Sequence, residues 1–425
     1  MTSSRIQRLR GTHDIFGDEA RVFQKMEETA RKTFTLFGFE ELRTPLLEEK
    51  ELFTRALGAE TDVVQKEMYE FLDRSKTHVA LRPEGTAGVV RAYLENNFDK
   101  NERLCKFYYI GPMFRSERPQ AGRLRQFHQI GVEQLGTDSP YADAETIHAL
   151  TVFLNEVGVT DYQVKLNNLG TFEERKHFKE KLAQFFTPKK KELCEDCRHR
   201  LEKNVFRILD CKVQSCRAIV RKSPPVHGFL TPPSKEHHEK VCRALATAGV
   251  SYTEDPYLVR GLDYYTRTVF ELSHSKLGAQ DALAAGGRYD SLVESFGGSP
   301  AGAVGFAIGM ERLAMCLASR EEDSTKMQDS FFIVTLGEAA FCEGFKMMSA
   351  LRANGVYVSM DLSPKSMKSQ MRSADKNKCK YALILGDNEL QKNTFTLKNL
   401  EFGAQKEFLL TEVVEICKKE NKFSQ

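Results

Sequence analysis

Several features that would narrow the function are missing from this chain of 425 residues. No apolar run is long enough to cross a membrane, and no apolar signal segment stands at the N-terminus. The 62 basic residues barely outnumber the 59 acidic ones, so a polyanion would have to bind at local patches rather than through net charge. These absences predict a cytoplasmic protein without a membrane partner.

The phosphate-binding loop GxxxxGK[ST] is also missing, which disfavours a P-loop nucleotide site. The ten cysteines are scattered apart from one cluster, and we interpret them as reduced thiols. A hydrophobic content of 41% with 28% charged residues is typical of a globular protein. The length predicts two or three domains.

The cysteine cluster is spaced C-x2-C, thirteen residues, then C-x4-C. It consists of Cys194, Cys197, Cys211 and Cys216. Four thiolates at such spacing can close a tetrahedron around Zn²⁺, but the second pair is looser than a usual zinc knuckle. A structural zinc site and ordinary free thiols both remain open, and free thiols are favoured.

The stretch from Tyr109 to Gly136 predicts two antiparallel strands joined by a loop that contains Pro119 and Gly122. Four arginines lie in this loop: Arg115, Arg118, Arg123 and Arg125. Because side chains alternate along a strand, Glu133 shares a face with Phe127, Gln129 and Gly131. The hairpin can therefore present guanidinium groups, which suit phosphate, and carboxylates to one cavity. For this stretch alone, a solvated edge or a nucleic-acid patch is the alternative.

The segment FRSERPQAGRLRQFHQ resembles motif 2 of the class II aminoacyl-tRNA synthetases in its histidyl-tRNA synthetase form. Five further stretches resemble the same family, in the family's order: RGTHD at Arg10–Asp14, LRPEGT at Leu81–Thr86, LVRGLDYYTRTVFEL from Leu258, AAGGRYD from Ala284, and GFAIGMERL, similar to motif 3, from Gly305. GFEELRTPLLE is a less specific match to motif 1, which in the family builds the dimer interface.

The resemblance implies an α+β fold whose core is a class II antiparallel sheet flanked by helices, formed by residues 1–170 and 251–325. It also implies a helical insertion at 171–250 and an α/β anticodon-binding domain at 328–425. Strand–helix alternation in the last segment independently predicts a small α/β sheet. Six basic residues against one acidic residue between Ser363 and Lys380 indicate either a solvated helix face or a surface for RNA phosphates.

The implied activity is that of a histidine–tRNA ligase, which makes histidyl-adenylate and pyrophosphate from L-histidine and ATP and then charges the 3′ end of tRNA-His. The implied partners are tRNA-His, L-histidine, ATP with Mg²⁺, and a second copy of the chain in a homodimer. The implied catalytic residues are Arg115 and Arg260. The implied histidine-binding residues are Glu84, Gly85, Thr86, Arg115, Gln129, Glu133, Arg260, Tyr264 and Tyr265. The implied ATP-binding residues are Arg115, Glu117, Arg123, Phe127 and Arg312.

Both steps of this reaction crowd negative charge at one phosphorus, so the site needs fixed positive charge. The resemblance assigns Arg115 to the α-phosphate and carboxylate, Arg260 to the transition-state charge and Arg312 to the γ-phosphate. It assigns Phe127 to stacking on adenine. Glu117 and Arg123 would hold the adenine edge and the outer phosphates.

Selection of histidine requires groups that complement both ring nitrogens of an imidazole. Glu133 can accept from the ring and Tyr265 can donate to it, while Tyr264 lines the pocket. The family positions of Glu84, Thr86 and Gln129 hold the α-amino group of the substrate.

Two other classes of function compete with the ligase. One is a non-catalytic synthetase paralogue that serves as a regulatory subunit in histidine biosynthesis, and the other is an RNA-binding or amino-acid-sensing module. The presence of Arg115, Arg260, Arg312 and a complete last domain disfavours the paralogue. An RNA-binding or amino-acid-sensing module would not need the ATP-binding arginines.

Overall fold

The computed structural model describes residues 5–58, 61–101, 104–260, 264–278, 281–317 and 330–422. The chain divides into two compact units, Met1–Ala318 and Ser319–Gln425. Residues 171–250 belong to the first unit. The predicted linker ASREEDSTKMQDS lies outside the described residues except for its last serine, as do Gly261–Asp263 of the LVRGLDYY stretch.

The first unit is built on two sheets. Its strands are β1 (Glu40–Glu41), β2 (Leu47–Glu49), β3 (Glu70–Leu72), β4 (His78–Leu81), β5 (Cys105–Phe114), β6 (Gln126–Leu135), β7 (Tyr162–Asn168), β8 (Thr253–Glu254), β9 (Thr266–His274), β10 (Ala282–Arg288) and β11 (Ala303–Gly309). The large sheet has the order β1-β5-β6-β11-β10-β9-β7-β8, and the small sheet has the order β2-β4-β3. In the large sheet only the edge pairs β1–β5 and β7–β8 are parallel.

The helices of this unit flank the large sheet and fill the segment between β7 and β8. They are α1 (Gly17–Leu36), α2 (Lys50–Leu57), α3 (Thr86–Glu95), α4 (Pro140–Val157), α5 (Phe172–Phe186), α6 (Glu195–Lys203), α7 (Phe206–Leu209), α8 (Gln214–Val220), α9 (Pro232–Thr247), α10 (Ser291–Ser295) and α11 (Met310–Cys316). Capping residues explain where some of these helices begin and end. The Ser139 hydroxyl accepts a hydrogen bond from the Tyr141 N–H at the start of α4, and left-handed Gly158 ends that helix.

The predicted hairpin is confirmed. Strands β5 and β6 pair antiparallel from Cys105↔Leu135 to Phe114↔Gln126. Gly122 at the tip of their loop has φ +68°, a conformation that favours glycine. The predicted alternation holds too, because Ile130 and Val132 pack with α1 and α4 while Glu133 points to the opposite face of the sheet.

The second unit is a five-stranded sheet with helices on its faces. Its elements are β12 (Phe331–Thr335), α12 (Glu338–Ala353), β13 (Val358–Met360), α13 (Met367–Lys376), β14 (Tyr381–Leu385), α14 (Asp387–Lys392), β15 (Thr394–Asn399), β16 (Gln405–Leu409) and α15 (Val413–Lys422). The strand order is β13-β12-β14-β15-β16, parallel for the first three strands and antiparallel for the last two.

The α+β fold with an α/β C-terminal unit is therefore confirmed. Helix α1 begins at Gly17, with Asp18 in its first turn. The antiparallel strand β16 forms the edge of the second sheet. No described helix is long and apolar enough to span a membrane.

Candidate active site

The candidate site lies on the face of the large sheet that is turned away from α1 and α4. Glycines on this face leave room for bulky side chains from neighbouring strands. A Cβ at Gly131 or at Gly85 would collide with the ring of Tyr109, and a Cβ at Gly305 would collide with the Glu133 carboxylate. Glycine is thus required at these three positions because neighbouring side chains approach the backbone closely.

Glu133 is the centre of the buried side of the site. Its side chain is almost fully buried, and both carboxylate oxygens are engaged. The Thr86 hydroxyl donates to one oxygen at 2.7 Å, and the Tyr289 hydroxyl donates to the other. Burial raises the pKa of Glu133 to about 8, and the neighbouring carboxylate of Glu84 adds to the rise. This rise in pKa favours the protonated form of Glu133 at neutral pH.

Glu84 lies two residues before the first residue of α3. Its carboxylate accepts hydrogen bonds from the backbone N–H groups of Thr86, at 2.7 Å, and Ala87, at 3.0 Å. Burial raises the pKa of Glu84, while these two backbone donors and the Arg115 guanidinium act in the opposite direction. The helix start thus orients one carboxyl group beside Glu133 and beside an arginine.

Four tyrosines surround these two carboxyl groups: Tyr109, Tyr264, Tyr265 and Tyr289. The ring centroids of Tyr264 and Tyr265 are 4.6 Å apart, and those of Tyr264 and Tyr289 are 5.6 Å apart. Burial raises the pKa of each phenol, so each keeps its proton and remains a hydrogen-bond donor at neutral pH.

Arg115 lies where the motif 2 loop leaves β5. Its Nε donates to the Pro83 carbonyl at 2.9 Å, and its guanidinium carbon lies 5.5 Å from the ring centroid of Phe127. A guanidinium over an aromatic face is a favourable cation–π arrangement. Arg115 and Phe127 are thus neighbours, as expected for two residues that bind one nucleotide.

The tip of the motif 2 loop approaches α11. Across the loop, Arg123 Nη1 lies 3.5 Å from a Glu117 carboxylate oxygen. A Cβ at Gly122 would come within 3.2 Å of the Arg312 side chain, whose Nε donates to the Ala282 carbonyl at 2.9 Å. Burial lowers the pKa of Arg312, and the positive charge of Arg123 lowers it further. Two guanidinium groups held together in this way are suited to an anionic ligand.

Arg260 completes the basic side. It forms an ion pair with Glu271 on β9, while its Nε has no hydrogen-bond partner among the described residues. Burial raises the pKa of Tyr265, and the Arg260 charge opposes this rise, which puts the guanidinium within electrostatic reach of the buried tyrosines. The Gln129 Oε1 is also buried without a partner in the described part of the chain.

The structure therefore gathers the predicted residues into two adjoining groups. Around Glu133 lie Glu84, Gly85, Thr86, Gln129, Tyr264 and Tyr265. Along the motif 2 loop and α11 lie Arg115, Glu117, Arg123, Phe127 and Arg312. Arg260 forms an ion pair with Glu271 and acts electrostatically on Tyr265 of the first group.

Comparison with known sequences decides the family. The family model described as histidyl-tRNA synthetase matches residues 11–313, and the anticodon-binding domain model matches residues 330–420. The chain belongs to the histidyl-tRNA synthetase family. It is 44% identical over 411 residues to the histidine–tRNA ligase of Thermodesulfovibrio yellowstonii, covering 97% of this chain and 98% of the relative. It is 45% identical over 402 residues to the histidine–tRNA ligase of Thermotoga petrophila, covering 94% and 95% of the two chains.

A solved structure supports the same conclusion. The crystal structure of apo S. aureus histidyl-tRNA synthetase superposes with a TM-score of 0.81 at 34% sequence identity, covering 97% of this chain and all of that one. The chain is thus an aminoacyl-tRNA synthetase, an enzyme with histidine–tRNA ligase activity.

Sequence reasoning gave no role to two tyrosines of this synthetase site. Tyr289 follows Arg288 in the AAGGRYD stretch and hydrogen-bonds to Glu133. Tyr109 fills the space above Gly85 and Gly131. The position of Tyr109 in the hairpin could have indicated its place in the site. It pairs with Gly131 across the hairpin, and a glycine opposite a tyrosine leaves room for the ring.

Two residue types in the AAGGRYD stretch serve packing. A Cβ at Gly286 would collide with the Gly305 carbonyl, and one at Gly287 would lie 2.9 Å from the Tyr265 ring. The neighbouring Arg288 is fully buried and forms an ion pair with Asp143 on α4. The chain's own close contacts therefore account for the glycines and the arginine.

Proposed function

We propose that this synthetase activates L-histidine with ATP at the site around Glu133 and Arg115 and then transfers the histidyl group to the 3′ end of tRNA-His. The observation that carries the proposal is the juxtaposition of a buried carboxyl–tyrosine pocket with a group of arginines. An imidazole needs both a donor and an acceptor, and a triphosphate needs fixed positive charge. Both requirements meet at adjoining positions of one sheet face.

The histidine subsite is the buried side. Glu133 accepts from one ring nitrogen of the substrate once it is ionised, and Tyr265 donates to the other, with Tyr264 as the wall of the pocket. Glu84, the Gly85–Thr86 backbone turn and the unpaired Gln129 carbonyl oxygen bind the α-amino group. An apolar amino acid would leave these buried polar groups without partners, so we expect strong rejection of it.

The ATP subsite is the arginine side. Adenine stacks on Phe127, and Arg115 holds the α-phosphate together with the histidine carboxylate. Glu117 and Arg123 hold the adenine edge and the outer phosphates, and Arg312 holds the γ-phosphate. This arrangement aligns the carboxylate with the α-phosphorus, and positioning of this kind provides much of the catalysis in phosphoryl chemistry.

Arg260 stabilises the charge that develops at the α-phosphorus. Its Nη1 is paired with Glu271, which positions the guanidinium. Mg²⁺ accompanies the ATP and, when bound, neutralises charge on the outer phosphates. Glu271, which lies near both Arg260 and Arg312, is the carboxylate that fits such an ion because hard cations prefer oxygen ligands.

The C-terminal unit binds the anticodon region of tRNA-His. Its support is the exposed basic side of α13, where Lys368, Arg372 and Lys376 are exposed and Gln370 and Ala374 face the core. Guanidinium and ammonium groups on one helix side suit RNA phosphates. We assign residues 1–170 and 251–325 to the catalytic core, 171–250 to the insertion and 328–425 to the anticodon-binding domain.

The enzyme acts as a cytoplasmic homodimer in this proposal. Apolar side chains are exposed on and beside the small sheet, where Leu46, Leu47, Phe71 and Leu72 are each more than one-third accessible. Exposed apolar groups of this kind are typical of an association surface. Light scattering on the purified protein would give twice the chain mass, and a monomer at micromolar concentration would contradict the dimer.

The test of the function is amino-acid-dependent exchange between ATP and pyrophosphate, measured with each of the standard amino acids. We expect exchange with histidine alone. Exchange with another amino acid would contradict the specificity of the pocket. Histidine binding without any exchange would favour the regulatory-paralogue alternative.

A further inference from the structure

The four cysteines of the C-x2-C and C-x4-C pairs converge in the helical segment between β7 and β8. Their sulfur atoms all lie within 4.8 Å of one another, and the Cys194 and Cys211 sulfurs are 3.8 Å apart. Zinc–sulfur bonds of about 2.3 Å in a tetrahedron place neighbouring sulfurs about 3.8 Å apart. The four thiols thus already have nearly the spacing of a metal-bound set.

A backbone N–H donor and nearby basic side chains suit thiolates that are bound to a cation. Cys197, Cys211 and Cys216 are buried, and the Cys194 backbone N–H donates to the Cys216 sulfur at 3.2 Å. Hydrogen bonds from backbone N–H groups to sulfur stabilise its charged form. Residues 194–221 also carry seven basic against four acidic side chains, which offsets the net negative charge of four thiolates around one divalent ion.

The short helices around the cysteines need a further source of stability, which a bound metal would provide. Helices α6, α7 and α8 have only nine, four and seven residues, too few for stable helices on their own. Cys194 and Cys197 lie at the start of α6, Cys211 follows α7, and Cys216 lies in α8. One ion bound by all four sulfurs would cross-link the three short helices.

A disulfide explains the cluster less well. Disulfide sulfurs lie about 2.05 Å apart, and a disulfide uses two cysteines, whereas here four free thiols meet. A second group, His227, His238 and Glu254, also comes within 4.8 Å. Its His227 Nε2 is engaged with Asn167 at 3.1 Å and Glu254 is exposed, so it makes a poorer site.

We propose that Cys194, Cys197, Cys211 and Cys216 bind one structural Zn²⁺ as four thiolates. Binding forms four Zn–S bonds, releases the thiol protons to solvent and involves no change of oxidation state. All four tetrahedral positions are filled by protein, so no position is open for substrate and the ion serves folding. The ion takes no direct part in the ligase chemistry.

A cavity connects the cysteine site with the surroundings of the active site. Cys211, Lys212 and Arg217 line a cavity of about 390 Å³ whose wall also includes Glu271, the ion-pair partner of Arg260. The metal-bound segment thus contributes to the surroundings of a residue that the ligase uses.

The first test is the metal content of the chain purified without chelators, measured by mass spectrometry of the digested protein. We expect about one zinc per chain, released when a mercurial reagent blocks the thiols. Cys197→Ser and Cys211→Ser should lose the zinc. Cys417→Ser is the matched control because Cys417 is equally buried but lies in the other unit, and it should keep the zinc.

The second test does not depend on folding of the variants. The reduced, metal-free wild-type chain is titrated with Co²⁺, and we expect the absorption bands of tetrahedral cobalt with four sulfur ligands, displaced by equimolar Zn²⁺. The proposal is overturned if wild-type protein neither carries zinc nor binds cobalt. It is equally overturned if the metal is iron, if Cys197→Ser keeps its zinc, or if mass spectrometry finds these cysteines joined as disulfides.

Discussion

The buried side of the site, around Glu133, and its arginine side differ in how their polar groups are paired. Glu133 is 1% exposed and receives hydrogen bonds from Thr86 and Tyr289, both from the same chain. On the other side, the Arg123 side chain is 43% exposed and forms a 3.5 Å ion pair with Glu117. A partly exposed ion pair of this kind contributes about 0–1 kcal/mol.

This difference indicates a division of labour between recognition and chemistry. The buried side fixes Glu133 with hydrogen bonds from its own chain, which suits discrimination of a small imidazole from other side chains. On the arginine side, the Nε atoms of Arg115 and Arg312 donate to backbone carbonyls and position charged guanidinium groups for a triphosphate.

Removal of the Arg260 guanidinium should have the largest effect. In Arg260→Ala we expect histidine-dependent ATP–pyrophosphate exchange to fall by about 100- to 1000-fold in kcat, because charge at the α-phosphorus loses its stabilisation. The far-ultraviolet circular dichroism should stay unchanged. The control is Arg243→Ala, an exposed arginine on α9. Exchange retained in Arg260→Ala would exclude Arg260 from the mechanism.

Insertion of one methyl group should damage the buried side. In Gly131→Ala the new Cβ would collide with Tyr109, so we expect a loss of about 1–3 kcal/mol in the free energy of unfolding. Relative to wild type, the KM for histidine should rise more than the KM for ATP. Gly228→Ala is the control, since a Cβ there meets nothing within 4 Å. Equal stability and equal KM values in the two variants would show that Tyr109 is free to move aside.

The pKa of Glu133 predicts a pH dependence of histidine binding. Because the group must ionise to accept from the imidazole and its pKa is about 8, the KM for histidine should fall by about tenfold from pH 7 to pH 9. In Glu133→Gln this fall should vanish. In Tyr289→Phe the fall in the KM for histidine should occur at higher pH, because the Tyr289 hydrogen bond lowers the pKa of Glu133.

The same pKa shift has an opposite consequence for stability. A carboxyl group whose folded pKa is raised binds more protons in the folded state, so stability falls as pH rises from the unfolded value toward 8. The melting temperature of Glu133→Gln, measured without substrates, should therefore exceed that of wild type by more at pH 9 than at pH 5. A constant difference between the two proteins would contradict the raised pKa.

The smallest effect is expected far from the chemistry. Lys368→Ala on α13 should weaken tRNA binding severalfold and reduce the slope of log K against log salt by about 1, while histidine-dependent exchange stays unchanged. Lys346→Ala, an exposed lysine on α12, is the control and should change neither quantity. An unchanged salt slope in Lys368→Ala would exclude contact of this lysine with RNA.

Local patterns in the sequence predicted much of the scaffold. Alternation along β6 put Glu133 and Gln129 on one face, and Pro119 with Gly122 indicated the loop. These features depend on near neighbours in the chain, which a sequence displays directly.

Contacts between distant segments were harder to foresee. The Tyr289–Glu133 hydrogen bond joins residues 156 positions apart, and the Arg260–Glu271 ion pair depends on where a loop packs against β9. Nothing in the spacing of arginines distinguished Arg115 from Arg82, which is buried and donates to the carbonyls of Pro112 and Thr44. Such assignments depend on tertiary packing.

The most direct test of a single continuous site is calorimetric binding of a non-hydrolysable histidyl-adenylate analogue, which spans both sides. We predict that it binds at least about 100-fold more tightly than histidine, and that Arg115→Ala and Glu133→Gln each weaken it by tenfold or more. An analogue that binds no better than histidine, or that is indifferent to either substitution, would contradict the joining of the two sides.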